Sequence, residues 1–260
     1  MAALQELLRS LGTVGVAYSG GTDSSFLLKV AHDALGEAAI GLMAVSPSFP
    51  AWEREEAVSL AMSIGARVVL VPTDELGEER FASNPDDRCY HCKRHILGRI
   101  MEAASREGVR HLVDGINADD AETHRHGLRA ARELGTRSPL AEVDLGKKEV
   151  RYLARGLGLA SADKPHSACL ASRLPFGERI TAEKLDQVES AERALRHLGL
   201  GQLRVRHHGE TARIEVLPED FHKVLSARER VVADLQAIGF RFVCLDLQGF
   251  RSGSLERNKL

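Results

Sequence analysis

The chain has 260 residues, 43% of them hydrophobic and 28% charged, with a formal net charge of −2. That length admits one large domain or two modest ones, and the near-neutral balance counts against a dedicated nucleic-acid binder and favours a small-molecule substrate. No apolar run is long enough to span a membrane, and Met1 to Ser10 lacks the basic start and long apolar centre of a signal peptide, so a cytoplasmic protein with no membrane attachment is expected.

The first apolar run, Val14 to Tyr18, reads as a buried parallel strand. It breaks into Ser19-Gly20-Gly21-Thr22-Asp23-Ser24-Ser25, after which Phe26, Leu27, Val30, Ala31, Ala34 and Leu35 recur at helical spacing up to a stop at Gly36. A strand-to-helix turn of this composition suits an anion such as phosphate. Two glycines let the backbone come close, the hydroxyls add donors, and a helix start offers N–H groups. It lacks the Lys of a Walker loop and is not G-x-G-x-x-G. Asp23 suits Mg²⁺ beside phosphates or, equally, the helix dipole; a serine-rich helix cap is the plain alternative for the whole turn. SGGTDSS resembles the SGGxDSS signature of the PP-loop ATP pyrophosphatases, which cleave ATP between the α- and β-phosphates.

Further along, strands are expected at Ala39 to Val45 and Ala66 to Val71, with a helix over Ala51 to Ile64. Trp52 follows the loop Ser46 to Pro50 and serves either a nucleotide or the start of its own helix. A helix over Lys93 to Arg106 leads to a fourth strand, His111 to Ile116, which ends in Asn117-Ala118-Asp119-Asp120. Those carboxylates either position Mg²⁺ or substrate, or open the next helix. Strand alternating with helix over residues 14–160 predicts an α/β fold with a doubly wound parallel sheet. Beyond Gly177 the pattern becomes a helix (Ala182 to Leu198), two strands (Leu203 to His207, Ala212 to Val216), a helix (Glu219 to Ile238) and a strand (Phe242 to Leu247). This predicts domains at 1–178 and 179–260, the second a smaller α+β unit for substrate binding or oligomerisation, with a partly unstructured tail from Arg251.

Arg88-Cys89-Tyr90-His91-Cys92-Lys93 holds one CxxC, and a third cysteine stands in Ala168-Cys169-Leu170-Ala171-Ser172-Arg173. Such a set fits a zinc site completed by His91 or His166, a redox dithiol, or a [4Fe–4S] cluster with one iron left open. Arg88, Lys93, Lys164 and Arg173 bracket these cysteines and are expected to favour thiolates, or are solvated surface charge. Cys244, inside an apolar strand, reads as core.

SGGTDSS, RCYHCK and ACLASR in one chain and in this order resemble the LarE family of ATP-dependent sulfur transferases over essentially the full length, with Arg204 to Arg206, Ala212 to Val216 and Gln248 to Ser254 as further points of likeness. The resemblance implies adenylation of the carboxylates of pyridinium-3,5-biscarboxylic acid mononucleotide, release of pyrophosphate, and replacement of AMP by sulfur in nickel-pincer cofactor biosynthesis. Ser19, Gly20, Gly21, Thr22, Asp23, Ser24 and Ser25 would hold ATP with Mg²⁺ on Asp23. Cys89, Cys92 and Cys169 would hold a [4Fe–4S] cluster fed by a sulfide donor, or Cys169 would give up its own sulfur. Lys93 would act as a point charge, Arg173 would steady the adenylate, and Arg206 and Glu215 would contact nucleotide or substrate, unless the last two are exposed strand positions. A homo-oligomer is expected. A PP-loop tRNA thiolase and a non-catalytic nucleotide- or metal-binding module stand as rivals; steep salt-dependent RNA binding would mark the first, and ATP binding without pyrophosphate release the second.

Overall fold

The computed structural model describes residues 1–121, 126–165, 168–251 and 255. They form two compact units, one of Met1–Glu75 with Asp87–Ser167 and one of Leu76–Asp86 with Ala168–Leu260.

The first unit is built on β1 (Val14–Ala17), which pairs in parallel with β2 (Ala39–Val45) on one side and β4 (His111–Val113) on the other, while β3 (Val68–Pro72) extends the sheet beyond β2. α1 (Ala2–Leu11) precedes β1; between the strands lie α2 (Thr22–Leu35) and α3 (Ala51–Ile64), then α4 (Glu79–Ala82, a piece of the second unit) and α5 (Arg88–Arg106). After β4 come α6 (Ala118–Ala121), α7 (His126–Glu133), α8 (Pro139–Glu142) and α9 (Lys147–Gly156).

Alternation along β2 divides the core. Ala39 and Met43 face a cluster with Phe26, Leu27 and Val30 of α2 and Ala57 and Ala61 of α3, whereas Ile40 and Leu42 face Ile100, Ala103 and Ala104 of α5. Helices therefore cover both faces, which is why the strands read as continuous apolar runs. With strand order β3-β2-β1-β4, the chain leaves β1 toward one side of the sheet and reaches β4 from the other, so the carboxyl ends of β1 and β4 meet at the topological switch point, where open α/β sheets bind ligands.

The second unit packs α10 (Ala182–Arg196) and α12 (Arg228–Ala237) on a three-stranded sheet of order β5-β6-β7. β5 (Leu203–His208) and β6 (Thr211–Val216) form an antiparallel hairpin turned at Gly209 (φ 61°), and β7 (Phe242–Leu245) adds in parallel to β6. The junction at Ser167/Ala168 precedes the boundary expected near residue 178, and Leu76–Asp86 joins this unit across a long stretch of sequence. Local bonds account for both. Asn84 Nδ2 donates to the carbonyls of Pro175 and Glu178, Ile180 N donates to Ala82 O, and Arg179 pairs with Glu79.

Three expectations need correction here. The helix expected over Glu219 to Ile238 is two, α11 (Phe221–Ser226) and α12, broken at Ala227. Continued without a break it would put Arg228 on the inward stripe of Val224, Val231 and Leu235; broken, it leaves Arg228 exposed. Cys244 is exposed rather than core, because β7 is an edge strand whose Phe242 and Cys244 share the outward face. Fourth-strand pairing stops at Val113, where Asp114 and Gly115 turn away. Most of the tail, with Ser252 to Ser254, and also His166 lie outside the described residues.

Candidate active site

The turn Ser19 to Ser25 leaves the carboxyl end of β1 at the switch point. Gly20 has φ +71° and packs on α3 so closely that a Cβ would sit 2.3 Å from Ala57 Cβ; only glycine satisfies both conditions. Gly21 caps α2, whose first turn is Thr22, Asp23 and Ser24. The hydroxyls of Ser19 and Ser24 meet at 3.1 Å, Ser24 Oγ accepts from Ser19 N and donates to Gly21 O, and Thr22 Oγ1 donates to Ser161 O at 2.6 Å. These bonds curl the backbone around the start of a 14-residue helix, an arrangement whose N–H groups and dipole favour an anion. Ser25 Oγ is buried without a well-formed hydrogen bond among the described residues.

β4 supplies the facing wall. Gly115 lies against the start of α2, where a Cβ would come 2.8 Å from Ser24 N, so the end of β4 is locked backbone to backbone against that helix. Asp114 is buried; its Oδ1 accepts from Ser138 Oγ at 2.8 Å and Ile116 N at 3.2 Å, while Oδ2 has no hydrogen bond among the described residues. Burial pushes its carboxyl above the usual range, against the pull of the Lys93 ammonium. Asp23 is raised too, chiefly by burial. The neighbouring Asn117 amide, whose Nδ2 makes no well-formed bond, pulls it down, Asp120 pushes it up, and Lys147 and Arg151 pull it down.

The other acidic residues of this stretch serve helices. Asp119 accepts from Lys147 N at 2.7 Å and so caps α9, and Asp120 pairs with Lys147 Nζ at 2.9 Å while its N–H donates to Asn117. Of the carboxylates here, Asp23 and Asp114 are the two raised by burial, the setting a cation would relieve.

Cys89 and Cys92 stand one turn apart at the start of α5, which begins at Arg88 and not at Lys93, so the CxxC is helical. Cys89 is exposed and Cys92 half-buried. Between them Tyr90 is buried against α7, its hydroxyl donating to Glu133 and its ring lying 4.1 Å from the Arg129 guanidinium. Lys164 is paired with Glu56 at 3.1 Å.

In the second unit Cys169 precedes a 3-10 turn, Leu170–Arg173. Arg173 is 1% exposed, and its Nε and Nη2 bind both oxygens of Glu192 at 2.8 and 2.9 Å. Its Nη1 turns back to the carbonyls of Ala168 (2.6 Å) and Cys169 (3.0 Å). Arg206 is likewise buried, bound through Nε and Nη2 to Glu215 Oε2, with Nη1 on Ser172 O at 2.9 Å. Neither Arg206 nor Glu215 is an exposed strand position.

One residue carried no sequence signal. Glu75, fully buried past the end of β3, accepts from Ser46 and Ser48 of the β2–α3 loop and from Thr73, and so ties that loop to the sheet ahead of Trp52. Gly115 was legible only as the end of a strand.

Among the described residues, no three or more His, Cys, Asp or Glu side chains are gathered to hold a metal ion, and no helix is long and apolar enough to cross a membrane. Mg²⁺ asks for less than such a cage, since one or two carboxylates and the phosphates of its nucleotide suffice; Asp23, in the first turn of α2, fits that role. Thiols are the donors an iron–sulfur cluster takes; Cys89 and Cys92 offer two a turn apart in the first unit, Cys169 stands in the second, and none of them is in a disulfide.

No family model matches the chain. It is 43% identical over 98% of its length to an uncharacterized protein of Synechocystis, covering 96% of that protein. It is 39% identical over 98% of its length to the pyridinium-3,5-bisthiocarboxylic acid mononucleotide synthase of Lactiplantibacillus plantarum, covering 92% of it, and 30% identical over 91% to an uncharacterized protein of Methanocaldococcus jannaschii.

Proposed function

The chain belongs to the family of the pyridinium-3,5-bisthiocarboxylic acid mononucleotide synthases, the LarE family, and on that footing we propose that it is an ATP-dependent sulfur transferase converting carboxylates of the pyridinium mononucleotide to thiocarboxylates for a nickel-pincer cofactor. The observation that carries this reading is the Ser19 to Ser25 cradle at the switch point, with Asp23 in the first turn of its helix.

In the proposed reaction a substrate carboxylate oxygen attacks the α-phosphorus of ATP, the Pα–O bond to the β-phosphate breaks, and pyrophosphate leaves with its electron pair. The α2 N–H groups and the Ser19, Thr22, Ser24 and Ser25 region stabilise the negative charge on the phosphates; Asp23 would hold Mg²⁺, which would supply further charge neutralisation there. A sulfur nucleophile then attacks the acyl carbon, and AMP departs with the electrons of its C–O bond. Lys93, facing Asp114, offers a cation toward this carboxyl-rich end. Arg206 and Glu215 serve the substrate through the Cys169 turn they support.

The sulfur source we assign to a [4Fe–4S] cluster on the thiolates of Cys89, Cys92 and Cys169. When bound, such a cluster supplies an open iron able to carry an extra sulfide. A second reading, in which Cys169 itself surrenders sulfur, is favoured by the hold of Arg173 on the carbonyls of Ala168 and Cys169. The test is anaerobic purification with iron and sulfide analysis, then turnover with ATP, Mg²⁺ and the pyridinium mononucleotide followed by pyrophosphate assay and mass spectrometry of the protein. Iron with intact cysteines supports the cluster. Loss of one H₂S at Cys169 replaces it by self-sacrifice, and ATP binding without pyrophosphate release refutes enzyme function.

A further inference from the structure

We propose that Arg173 is a positioning residue that fixes the Cys169 thiol, rather than a ligand of the adenylate; this rests on the reading of Cys169 as a sulfur-transfer residue. The argument begins with which carbonyls the guanidinium holds. The Ala168 carbonyl belongs to the peptide before Cys169 and the Cys169 carbonyl to the peptide after it, so one nitrogen, Nη1, ties down both peptide planes flanking the Cys169 Cα. With both planes held, at φ −60° and ψ 155°, the direction of the Cα–Cβ bond is set, and the thiol retains only its χ1 rotation.

The far side of the same guanidinium is anchored to a rigid element. Glu192 lies within α10, is 4% exposed, and its Oε1 also accepts from Val205 N of β5 at 3.1 Å. A second support acts one step along the turn. Arg206 Nη1 holds Ser172 O, and the Glu215 that anchors Arg206 also receives Arg213 Nη2 at 2.9 Å. The cysteine's turn is thus hung from α10 and the β5–β6 hairpin by two buried arginine–glutamate pairs. A buried ion pair gives little net stability over an apolar pair of the same shape, so its use here points to placement of the backbone. Lysine cannot substitute, because a single ammonium cannot grip a carboxylate with two parallel bonds and reach two carbonyls on the opposite side.

The test separates the two half-reactions. In Arg173→Lys, pyrophosphate release from ATP and the pyridinium mononucleotide stays within about threefold of wild type, while thiocarboxylate formation falls on the order of a hundredfold. Alkylation of Cys169 by iodoacetamide, followed residue by residue by mass spectrometry on protein without ATP or substrate, changes severalfold in rate, while that of Cys89 does not. Glu192→Gln, isosteric and gentler to the fold, shows the same split to a smaller degree and serves if the lysine variant does not fold. Equal loss of both half-reactions would mean that Arg173 touches the adenylate, and unchanged alkylation with unchanged thiocarboxylate formation would remove any positioning role; either overturns the proposal. Cys169→Ala is the control for the underlying reading. If it still makes thiocarboxylate, that reading fails independently of what Arg173 does.

Discussion

Replacing Gly20 by Ala tests whether the cradle owes its shape to contact with α3. An alanine held at φ +71° costs about 1–2 kcal/mol in backbone conformation. Its methyl would lie 2.3 Å from Ala57 Cβ and 3.0 Å from Ala57 Cα. Carbon atoms settle at roughly 3.5–4.0 Å, and the obstacle is helix backbone, so the overpacking adds about 1–3 kcal/mol. The sum, about 2–5 kcal/mol, amounts to a fall in Tm of roughly 4–20 °C for a unit of this size. Gly21→Ala is the matched control. Its φ of −75° suits any residue and its Cβ would meet Ser19 Oγ at 3.4 Å, so the loss stays near 1 kcal/mol, that of a weaker helix cap. Urea unfolding followed by the fluorescence of Trp52 reads both, since the single tryptophan lies on α3 in the same helix as Ala57. If the two variants unfold within about 1 kcal/mol of each other and bind ATP alike, the turn is not shaped by that contact.

Other consequences follow from the same geometry. Gly115→Ala pushes a methyl into Ser24 N and the Asp23 carbonyl carbon, with no flexible side-chain tip to yield, so the KM for ATP rises about tenfold or more while far-UV circular dichroism stays native; an unchanged KM refutes the lock between β4 and α2. Asp114→Asn is more stable than wild type at neutral pH. Burial raises this carboxyl, so the folded state prefers it protonated, and the gain is full above its folded pKa and fades as pH falls toward 3.8. A gain over wild type no larger at pH 7.5 than at pH 4 in urea unfolding contradicts this. His207 and His208 have pKa values lowered by burial, Glu178 opposing and Lys184, Arg206 and Arg213 assisting. The unfolded chain therefore binds more protons below about pH 6.5, and stability is lost as pH falls through that value. His207→Gln flattens the slope of urea midpoint against pH between 7.5 and 5.5; an identical slope in both proteins rules the cause out.

The strand-to-helix turn was legible because its information is local: apolar period before, helical period after, glycines between. The three-residue reach of the CxxC was equally local, though α5 already begins at Arg88, and its Tyr90 meets α7 through a contact between residues 43 apart. What sequence could not give was the destination of charged side chains. Arg173 and Arg206 read as donors for a ligand, yet their forks close on Glu192 and Glu215, and nothing in either strand or turn announces a partner 19 or 9 residues away. Cys244 failed for the opposite reason. Phe242 to Leu247 is apolar enough for core, but an edge strand has one neighbour, and only the topology says which strand is the edge.

The two units bury charge in different ways, and the difference separates chemistry from scaffolding. In the second unit Glu192 and Glu215 have both oxygens engaged by arginine, an arrangement that resists change and so can hold a backbone still. In the first unit Asp114 keeps one oxygen without a bond among the described residues, and Asp23 rests on an amide and distant cations. A buried carboxylate so placed costs stability unless something positive arrives. Both stand at or next to the carboxyl ends of β1 and β4, where an Asn could still accept the Ser138 and Ile116 bonds of Asp114, or open the helix at Asp23, without the charge. A chain under selection for stability alone would exchange them; that it carries both at the end of the sheet where open α/β sheets bind ligands is the physical support for the proposed activation site.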